Sequence, residues 1–214
     1  MLALFDLDNT LIDRRGGMED WARCFVRRRG LEPQAVAVVS NRLNERAYPT
    51  DFVHLREVLG LRDEPGDLWR EYVDGVARLV RPFPGVREGL EALRREGWTL
   101  GIATNGAGDI QRAKLDMTRL ASLFDGICVS EEVGARKPER RHFEAAAAEC
   151  GALLSDGAWM VGDNPDTDMV GARAAGLRTI WVANGREWAD GLRKPDALVQ
   201  RAAEAIEMLQ EVKG

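Results

Sequence analysis

The chain has few cysteines and no long hydrophobic run. Its three cysteines, Cys24, Cys128 and Cys150, are an odd number without paired spacing, which indicates reduced thiols and excludes a disulfide framework. No run approaches the ~20 apolar residues that a membrane span needs, and the N-terminus lacks the basic-then-apolar pattern of a signal peptide. These absences predict a cytoplasmic protein.

An excess of one charge is also missing. The 30 Lys and Arg residues stand against 35 Asp and Glu residues, which gives a net charge of −5 with both signs interspersed. Such a balance argues against a dedicated nucleic-acid or membrane partner. At 214 residues the chain is somewhat long for one average domain and can bury a large core.

Apolar runs alternate with segments of helical spacing over most of the chain. The runs lie at residues 2–6, 98–104, 126–130, 158–162 and 178–183, with a short sixth candidate at 197–199. This alternation predicts an α/β fold, with a Rossmann-like parallel sheet that carries helices on both faces. Ligands of such folds bind at the carboxyl ends of the strands.

Residues 14–80 break the alternation, because their apolar residues recur only at helical spacing. Gly16-Gly17 and the segment 81–85 are predicted to bracket this region as hinges. We therefore expect residues 1–13 and 81–214 to form the α/β core, and residues 14–80 to form an inserted helical module.

Two acidic residues follow the first apolar run. Asp6 and Asp8 share one face of an extended backbone, roughly 6–7 Å apart, so one carboxylate can attack an electrophile while the other handles protons. Their mutual repulsion favours a bound cation, and Mg²⁺ prefers oxygen ligands of this kind. An ordinary polar turn is the alternative interpretation of the same residues. A calcium-binding EF-hand is excluded, since Leu11 and Gly17 occupy the positions that need Gly and Glu.

Three further blocks supply groups suited to phosphoryl transfer, in which positioning and electrostatic stabilisation dominate. Thr104, at a strand end, offers its hydroxyl and backbone N–H to a phosphate oxygen, and Lys137 offers a positive charge. Asp163 follows another strand and is predicted to face the same crevice as Asp6, as a metal ligand. Asp166 or Thr167 is expected to cap the helix that begins near Thr167.

Together, these blocks resemble the haloacid dehalogenase-like (HAD) hydrolase superfamily. The blocks are Asp6-Leu7-Asp8-Asn9-Thr10, the end of the run at 100–106 with Thr104-Asn105-Gly106, Lys137-Pro138-Glu139, and the cluster from Gly162 to Asp168. The resemblance implies a phosphatase in which Asp6 is the nucleophile and Asp8 the acid and base. It also implies that residues 14–80 form a helical cap.

The same resemblance implies the ligands and partners. Thr104, Asn105 and Lys137 are expected to bind the substrate, while Asp6, Asp8 through its carbonyl, Asp163 and Asp168 are expected to hold Mg²⁺, the last directly or through a water. The substrate is expected to be a small phosphorylated metabolite, such as a nucleotide or a sugar phosphate. A phosphomutase, a haloacid dehalogenase and a non-catalytic binding module remain alternatives, although Asp8 speaks against the dehalogenase. The sequence leaves the oligomeric state and the physiological substrate open.

Overall fold

A parallel β-sheet forms the centre of the computed structural model, which describes residues 1–189 and 191–213. The strands are β1 (Leu2–Phe5), β2 (Thr99–Thr104), β3 (Gly126–Val129), β4 (Ala158–Gly162), β5 (Arg178–Val182) and β6 (Ala197–Val199). They pair in the order β3-β2-β1-β4-β5-β6, and every pair is parallel. The predicted α/β fold is therefore confirmed, including the short sixth strand.

Helices cover both faces of the sheet. The first four helices, α1 (Arg14–Arg28), α2 (Ala35–Leu43), α3 (Pro49–Leu59) and α4 (Pro65–Leu79), lie in residues 14–80. The helices that accompany the sheet are α5 (Val86–Arg95), α6 (Gly108–Thr118), α7 (Ser130–Val133), α8 (Arg140–Glu149), α9 (Gly171–Ala174) and α10 (Ala202–Lys213). Alternate residues of β1 point to opposite faces, so Phe5 packs in one apolar core with Leu90 of α5, and Leu4 in another with Phe143 of α8. None of the helices among the described residues combines the length and apolar character of a membrane span.

Residues 14–80, all of which the structure describes, form four helices, α1 to α4, and no strand. Their interior is aromatic: the ring centroids of Trp21 and Tyr72 lie 5.0 Å apart, and those of Trp69 and Tyr72 lie 5.6 Å apart. The Trp69 indole N–H donates to the Asp109 carboxylate at 2.6 Å. This bond joins α4 to α6, which follows β2 in the chain.

The glycines predicted to act as a hinge lie inside the first turn of α1. Asp13 caps this helix by accepting from the Gly16 N–H at 2.8 Å. A Cβ atom at Gly17 would lie 2.8 Å from the Val80 side chain and 2.9 Å from its backbone nitrogen. The two glycines thus permit close packing at a helix start, and their predicted role as a hinge stays a prediction.

The sheet creates a crevice beside β1. Because the chain runs outward from β1 to β2 and β3 on one side, and to β4, β5 and β6 on the other, the carboxyl end of β1 lies at a topological switch point. Phe5, the last residue of β1, is in register with Ile102 of β2 and Val161 of β4. The residues that follow these three strands therefore emerge side by side.

Candidate active site

A pocket of about 550 Å³ opens over the carboxyl ends of β1, β2 and β4. Its floor contains all six residues predicted to carry chemistry, namely Asp6, Asp8, Thr104, Lys137, Asp163 and Asp168, together with Asn105. The opposite wall comes from the helical region, through Arg14, Arg15, Asn44, Glu45, Arg46, Ala47 and Tyr72. Residues more than 150 positions apart in the sequence thus line one cavity.

Three carboxylates and a lysine form what we call the strand-end half of the site: Asp6, Lys137, Asp163 and Asp168. One oxygen from each carboxylate lies within 4.8 Å of the others. The Lys137 ammonium donates to Asp6 at 2.6 Å and contacts Asp168 at 2.7 Å, and it is 2% exposed. A buried lysine of this kind requires paired charges, and here two carboxylates provide them.

Gly162 and Asn164 explain how Asp168 reaches this cluster. A Cβ atom at Gly162 would lie 2.3 Å from an Asp168 carboxylate oxygen, so only glycine admits that side chain. The Asn164 backbone N–H donates to the same carboxylate at 3.0 Å. The helical turn here begins at Pro165, and the Asn164 side chain caps it by accepting from the N–H groups of residues 166 and 167. The predicted cap, Asp166 or Thr167, was therefore wrong by two or three residues.

Negative charge is in excess in the strand-end half. Burial raises the pKa of Asp6 to about 8, with Asp168 and Asp163 adding to the effect of burial and Lys137 opposing it. Burial, assisted by Asp168, also raises the pKa of Asp163 to about 6. A divalent cation would relieve this repulsion, and an all-oxygen donor set suits Mg²⁺. The residues present therefore fit the ion that the sequence predicts.

Thr104 and Asn105 lie at the end of β2, and Asn105 supports this cluster. The Asn105 side chain donates to the Lys137 carbonyl at 3.0 Å and accepts from the Lys137 N–H at 2.9 Å. Both polar atoms of its amide are thus used to hold the Lys137 backbone, and its predicted substrate contact stays a prediction. The Thr104 hydroxyl is buried and accepts a hydrogen bond from Gln111 at 2.6 Å.

Asp8 points to a different set of residues, which we call the helix half of the site: Asp8, Arg14, Gln111 and Lys114. The Lys114 ammonium donates to both Asp8 carboxylate oxygens at 2.8 Å. Gln111 donates to one of them at 3.3 Å, and the Arg14 guanidinium lies 3.9 Å from the same oxygen. The Asp8 carboxylate is accordingly absent from the three-carboxylate cluster, and its predicted metal contact through the carbonyl stays a prediction.

Opposing effects set the protonation of this half. Burial alone would raise the pKa of Asp8, but the positive charges of Lys114 and Arg14 outweigh burial and lower it. Burial lowers the pKa of Lys114, although Asp8 partly offsets the effect. In the absence of substrate, the Asp8 carboxyl group is therefore held in its ionised form.

Sequence reasoning missed Lys114, Gln111 and Arg186. Lys114 and Gln111 lie one helical turn apart on the same buried face of α6 as Ile110 and Leu115, which is the only signal they give. Arg186, in the loop after β5, donates to the Asp163 carboxylate at 2.9 Å and to its carbonyl at 2.6 Å. No motif marks that arginine.

Fold and site together define an α/β protein with an acidic, lysine-bridged centre at its strand ends. The model of the family described as haloacid dehalogenase-like hydrolase matches residues 3–182. The chain belongs to this family, as its motifs predicted.

Two curated relatives are phosphatases. The chain is 36% identical over 182 residues to phosphoserine phosphatase of Thermus thermophilus, covering 84% of this chain and 68% of the relative. It is also 36% identical over 133 residues to the pyrimidine 5′-nucleotidase YjjG of Escherichia coli K12, covering 62% of this chain. The match spans only 59% of that nucleotidase. These relatives support a phosphatase.

Among solved structures, the HAD-hydrolase YfnB of Bacillus subtilis, bound to magnesium, has a TM-score of 0.77 at 21% identity and covers 98% of both chains. That likeness shows the fold. Structures of a β-phosphoglucomutase and a 2-haloacid dehalogenase share the fold as well, so the fold alone does not separate these activities.

Proposed function

We propose that this protein is a Mg²⁺-dependent phosphomonoester hydrolase that acts on a small phosphorylated metabolite through an aspartyl-phosphate intermediate. The observation that carries the proposal is the cluster of the Asp6, Asp163 and Asp168 carboxylates, in which Lys137 pairs with Asp6. Asp8, two residues after Asp6, pairs with a different lysine, Lys114. A nucleophile and a proton carrier are thus available at one pocket floor in two separate environments.

In the first half of the reaction, an Asp6 carboxylate oxygen attacks phosphorus and the bond from phosphorus to the ester oxygen breaks. Asp8 gives its proton to the departing alkoxide, and Lys137 and Thr104 hold phosphate oxygens. In the second half, Asp8 takes a proton from water, the water oxygen attacks phosphorus, and the bond to Asp6 breaks to release phosphate. Mg²⁺ held by Asp6, Asp163 and Asp168 supplies positive charge that neutralises the phosphate oxygens.

Asp8 must carry a proton to act first as an acid, while Lys114 and Arg14 hold it ionised in the free protein. An incoming phosphate brings negative charge next to Asp8, and a like charge raises the pKa of a carboxyl group. Substrate binding therefore favours the acid form, and departure of the alkoxide restores the base form for the second half.

The helical region, residues 14–80, is proposed to act as a cap over the pocket. Residues 44–47 and Tyr72 line the wall that faces the strand ends, where a lid excludes water and selects substrates. The magnesium-bound structure of YfnB reveals interdomain movement in that protein, which supports a mobile cap here. The named substrates of the relatives support a nucleotide, a phosphorylated amino acid or a sugar phosphate as the substrate class.

Two rival activities use the same fold. A haloacid dehalogenase expels a halide, which needs no proton, so the acid role proposed for Asp8 would have no task in it. A phosphomutase would return the phosphoryl group to the substrate without releasing inorganic phosphate.

The test is a screen of the purified protein against phosphorylated sugars, nucleotides and small acids, with Mg²⁺ and with a chelator. We expect release of inorganic phosphate only with Mg²⁺, and an acid-stable, hydroxylamine-sensitive phosphoryl-enzyme after rapid quenching. Isomerised substrate without free phosphate would favour the mutase. Absence of turnover across the whole panel would overturn the proposal in favour of a binding module.

A further inference from the structure

Lys114 is a buried cation whose hydrogen bonds all remain within the protein. It lies on α6 and is 2% exposed. Its ammonium group donates to Asp8 Oδ1 and Oδ2 at 2.8 Å each and to Gln111 Oε1 at 2.7 Å. Burial and these contacts commit the ammonium group to Asp8 and Gln111. Lys114 can influence the reaction only through the residues that it holds.

The same lysine determines which way the Gln111 amide faces. An ammonium group only donates hydrogen bonds, so the carbonyl oxygen of Gln111 must face Lys114. The amide nitrogen of Gln111 then faces Thr104 Oγ1, 2.6 Å away. Thr104 is thereby the acceptor in this bond, and its own O–H remains available to a phosphate oxygen in the pocket.

Lys114 also limits which oxygen of Asp8 can exchange a proton. A carboxylate has about four acceptor positions, two on each oxygen. Lys114 uses one on Oδ1 and one on Oδ2, and Gln111 uses the second on Oδ2 at 3.3 Å. The remaining position is on Oδ1. Oδ1 therefore has fewer partners than Oδ2 and is the oxygen more open to exchange a proton with the leaving group.

We propose that Lys114, acting directly on Asp8 and through Gln111 on Thr104, is a positioning residue that orients the proton carrier and the phosphate-binding hydroxyl together. The inference rests on the proposed phosphatase function and assigns a role to two residues of α6. One ammonium group connects the ends of β1 and β2, so that the Asp8 carboxylate and the Thr104 hydroxyl are oriented at the same time.

Substituting Lys114→Met tests the connection to Asp8, because methionine keeps the length of the side chain and removes its donors. The readout is kcat/KM for an alkyl phosphate and for p-nitrophenyl phosphate, since kcat/KM covers the steps up to phosphoryl transfer. An alkoxide needs a proton to leave, whereas p-nitrophenolate does not. We expect the ratio of the alkyl to the aryl value to fall about 100-fold, in the range of general-acid contributions.

Two further variants separate positioning from structure. In an Asp8→Asn background, Lys114→Met should leave the alkyl-to-aryl ratio unchanged, because Lys114 acts through Asp8. This double variant also removes both charges of the pair, so it serves if Lys114→Met alone does not fold. Gln111→Leu should lower kcat/KM for p-nitrophenyl phosphate about 10-fold, because it releases the Thr104 hydroxyl, and should lower kcat/KM for the alkyl ester at least as much, because it also removes a donor from Asp8.

Arg112→Met is the matched control, since it removes an exposed cation from the same helix. The Arg112 guanidinium pairs with Glu132 and the Ile127 carbonyl, which lie outside the pocket. The two kcat/KM values of Arg112→Met should stay within about 2-fold of the wild type. An unchanged alkyl-to-aryl ratio in folded Lys114→Met, or a further fall of that ratio in the Asp8→Asn background, would overturn the inference while the phosphatase proposal stands. A wild-type protein that hydrolyses neither ester would overturn both.

Discussion

The strand-end half and the helix half of the site each contain one carboxylate that follows β1 and one buried lysine. Nevertheless, the pKa of the carboxyl group is shifted upward in the strand-end half and downward in the helix half. Burial and neighbouring carboxylates raise the pKa of Asp6 to about 8, whereas Lys114 and Arg14 outweigh burial and lower the pKa of Asp8. The strand-end half has three carboxylates against one cation, Lys137, although Arg186 pairs with Asp163 from outside it. The helix half has one carboxylate against two cations, Lys114 and Arg14.

This difference shows what each half lacks. The strand-end half is short of positive charge, which suits a divalent cation. The helix half has positive charge to spare, which suits an incoming phosphate. Two residues of separation in the sequence are enough to place two carboxylates in different electrostatic environments, because Asp6 pairs with Lys137 and Asp8 pairs with Lys114 of α6.

Replacing Asp6 by asparagine removes the proposed nucleophile and should have the largest effect. We expect a loss of about 10⁶-fold in kcat, the size seen when other covalent nucleophiles are removed. The fold should survive, because asparagine is isosteric with aspartate, and because burial, which raises the pKa of Asp6 to about 8, already favours an uncharged side chain at this position. Phosphate release measures the loss, and circular dichroism and a thermal melt serve as controls. Substantial Mg²⁺-dependent turnover by this variant would remove Asp6 from its role.

The matching change in the helix half, Asp8→Asn, should separate the two chemical steps. With p-nitrophenyl phosphate, the first step needs no proton from residue 8, so about one equivalent of p-nitrophenol should appear in a rapid burst. The second step then lacks its base and should slow about 10²–10⁴-fold. Stopped-flow absorbance records both phases. Steady turnover at the wild-type rate without a burst would contradict the role of Asp8 as the base.

The strand-end half was largely predictable from sequence. Asp6, Thr104 and Asp163 each follow an apolar run, and parallel strands bring their carboxyl ends to one edge, so their meeting follows from the fold. Lys137 was predicted as a positive charge that phosphoryl transfer needs, and the role of Asp168 came from the resemblance to a family. Arg186 was missed because its contact with Asp163 depends on the course of an irregular loop.

The helix half was not predictable beyond Asp8 itself. Lys114 lies 106 residues from Asp8, and a lysine in a charged helix is most simply interpreted as solvated. Arg14 was one of many arginines in the helical region, and nothing in its neighbours indicates that it is 4% exposed. Helix packing angles, which set both contacts, are not encoded in a local motif.

Arg14 connects the helix half to the helical region, so its removal should destabilise the protein while sparing the strand-end half. Its guanidinium donates to the Leu43 carbonyl at 2.6 Å and also to the Asn44 carbonyl, at the end of α2. Arg14→Met leaves both carbonyls without this partner, and we expect the free energy of unfolding to fall by about 2 kcal/mol. Denaturant titration measures the change.

The neighbouring Arg15→Met provides the control, because that side chain is exposed and its removal should change the free energy of unfolding by less than about 0.5 kcal/mol. Mg²⁺ affinity should be unchanged in Arg14→Met. If Arg14→Met had the stability of the wild type, the proposed stabilising role of Arg14 would be wrong. A loss of Mg²⁺ affinity would show that the two halves of the site are not separable in this way.

The smallest effect should be a link between Mg²⁺ binding and protons in the strand-end half alone. Asp6, with a pKa of about 8, must lose its proton before it can hold a cation, so Mg²⁺ affinity should rise about tenfold per pH unit between about pH 6 and pH 8 and level off above it. Below about pH 6 the rise should be steeper, because Asp163 with its pKa of about 6 must also lose a proton. Calorimetry in two buffers of different ionisation enthalpy should detect about one proton released per ion near pH 7, and almost none near pH 9. The Asp6→Asn variant should release none at either pH, whereas Asp8→Asn should behave like the wild type, because the Asp8 carboxylate is ionised and paired with Lys114. If Asp8→Asn abolished the proton release instead, the protons would originate in the helix half, and the separation of the two halves would be wrong.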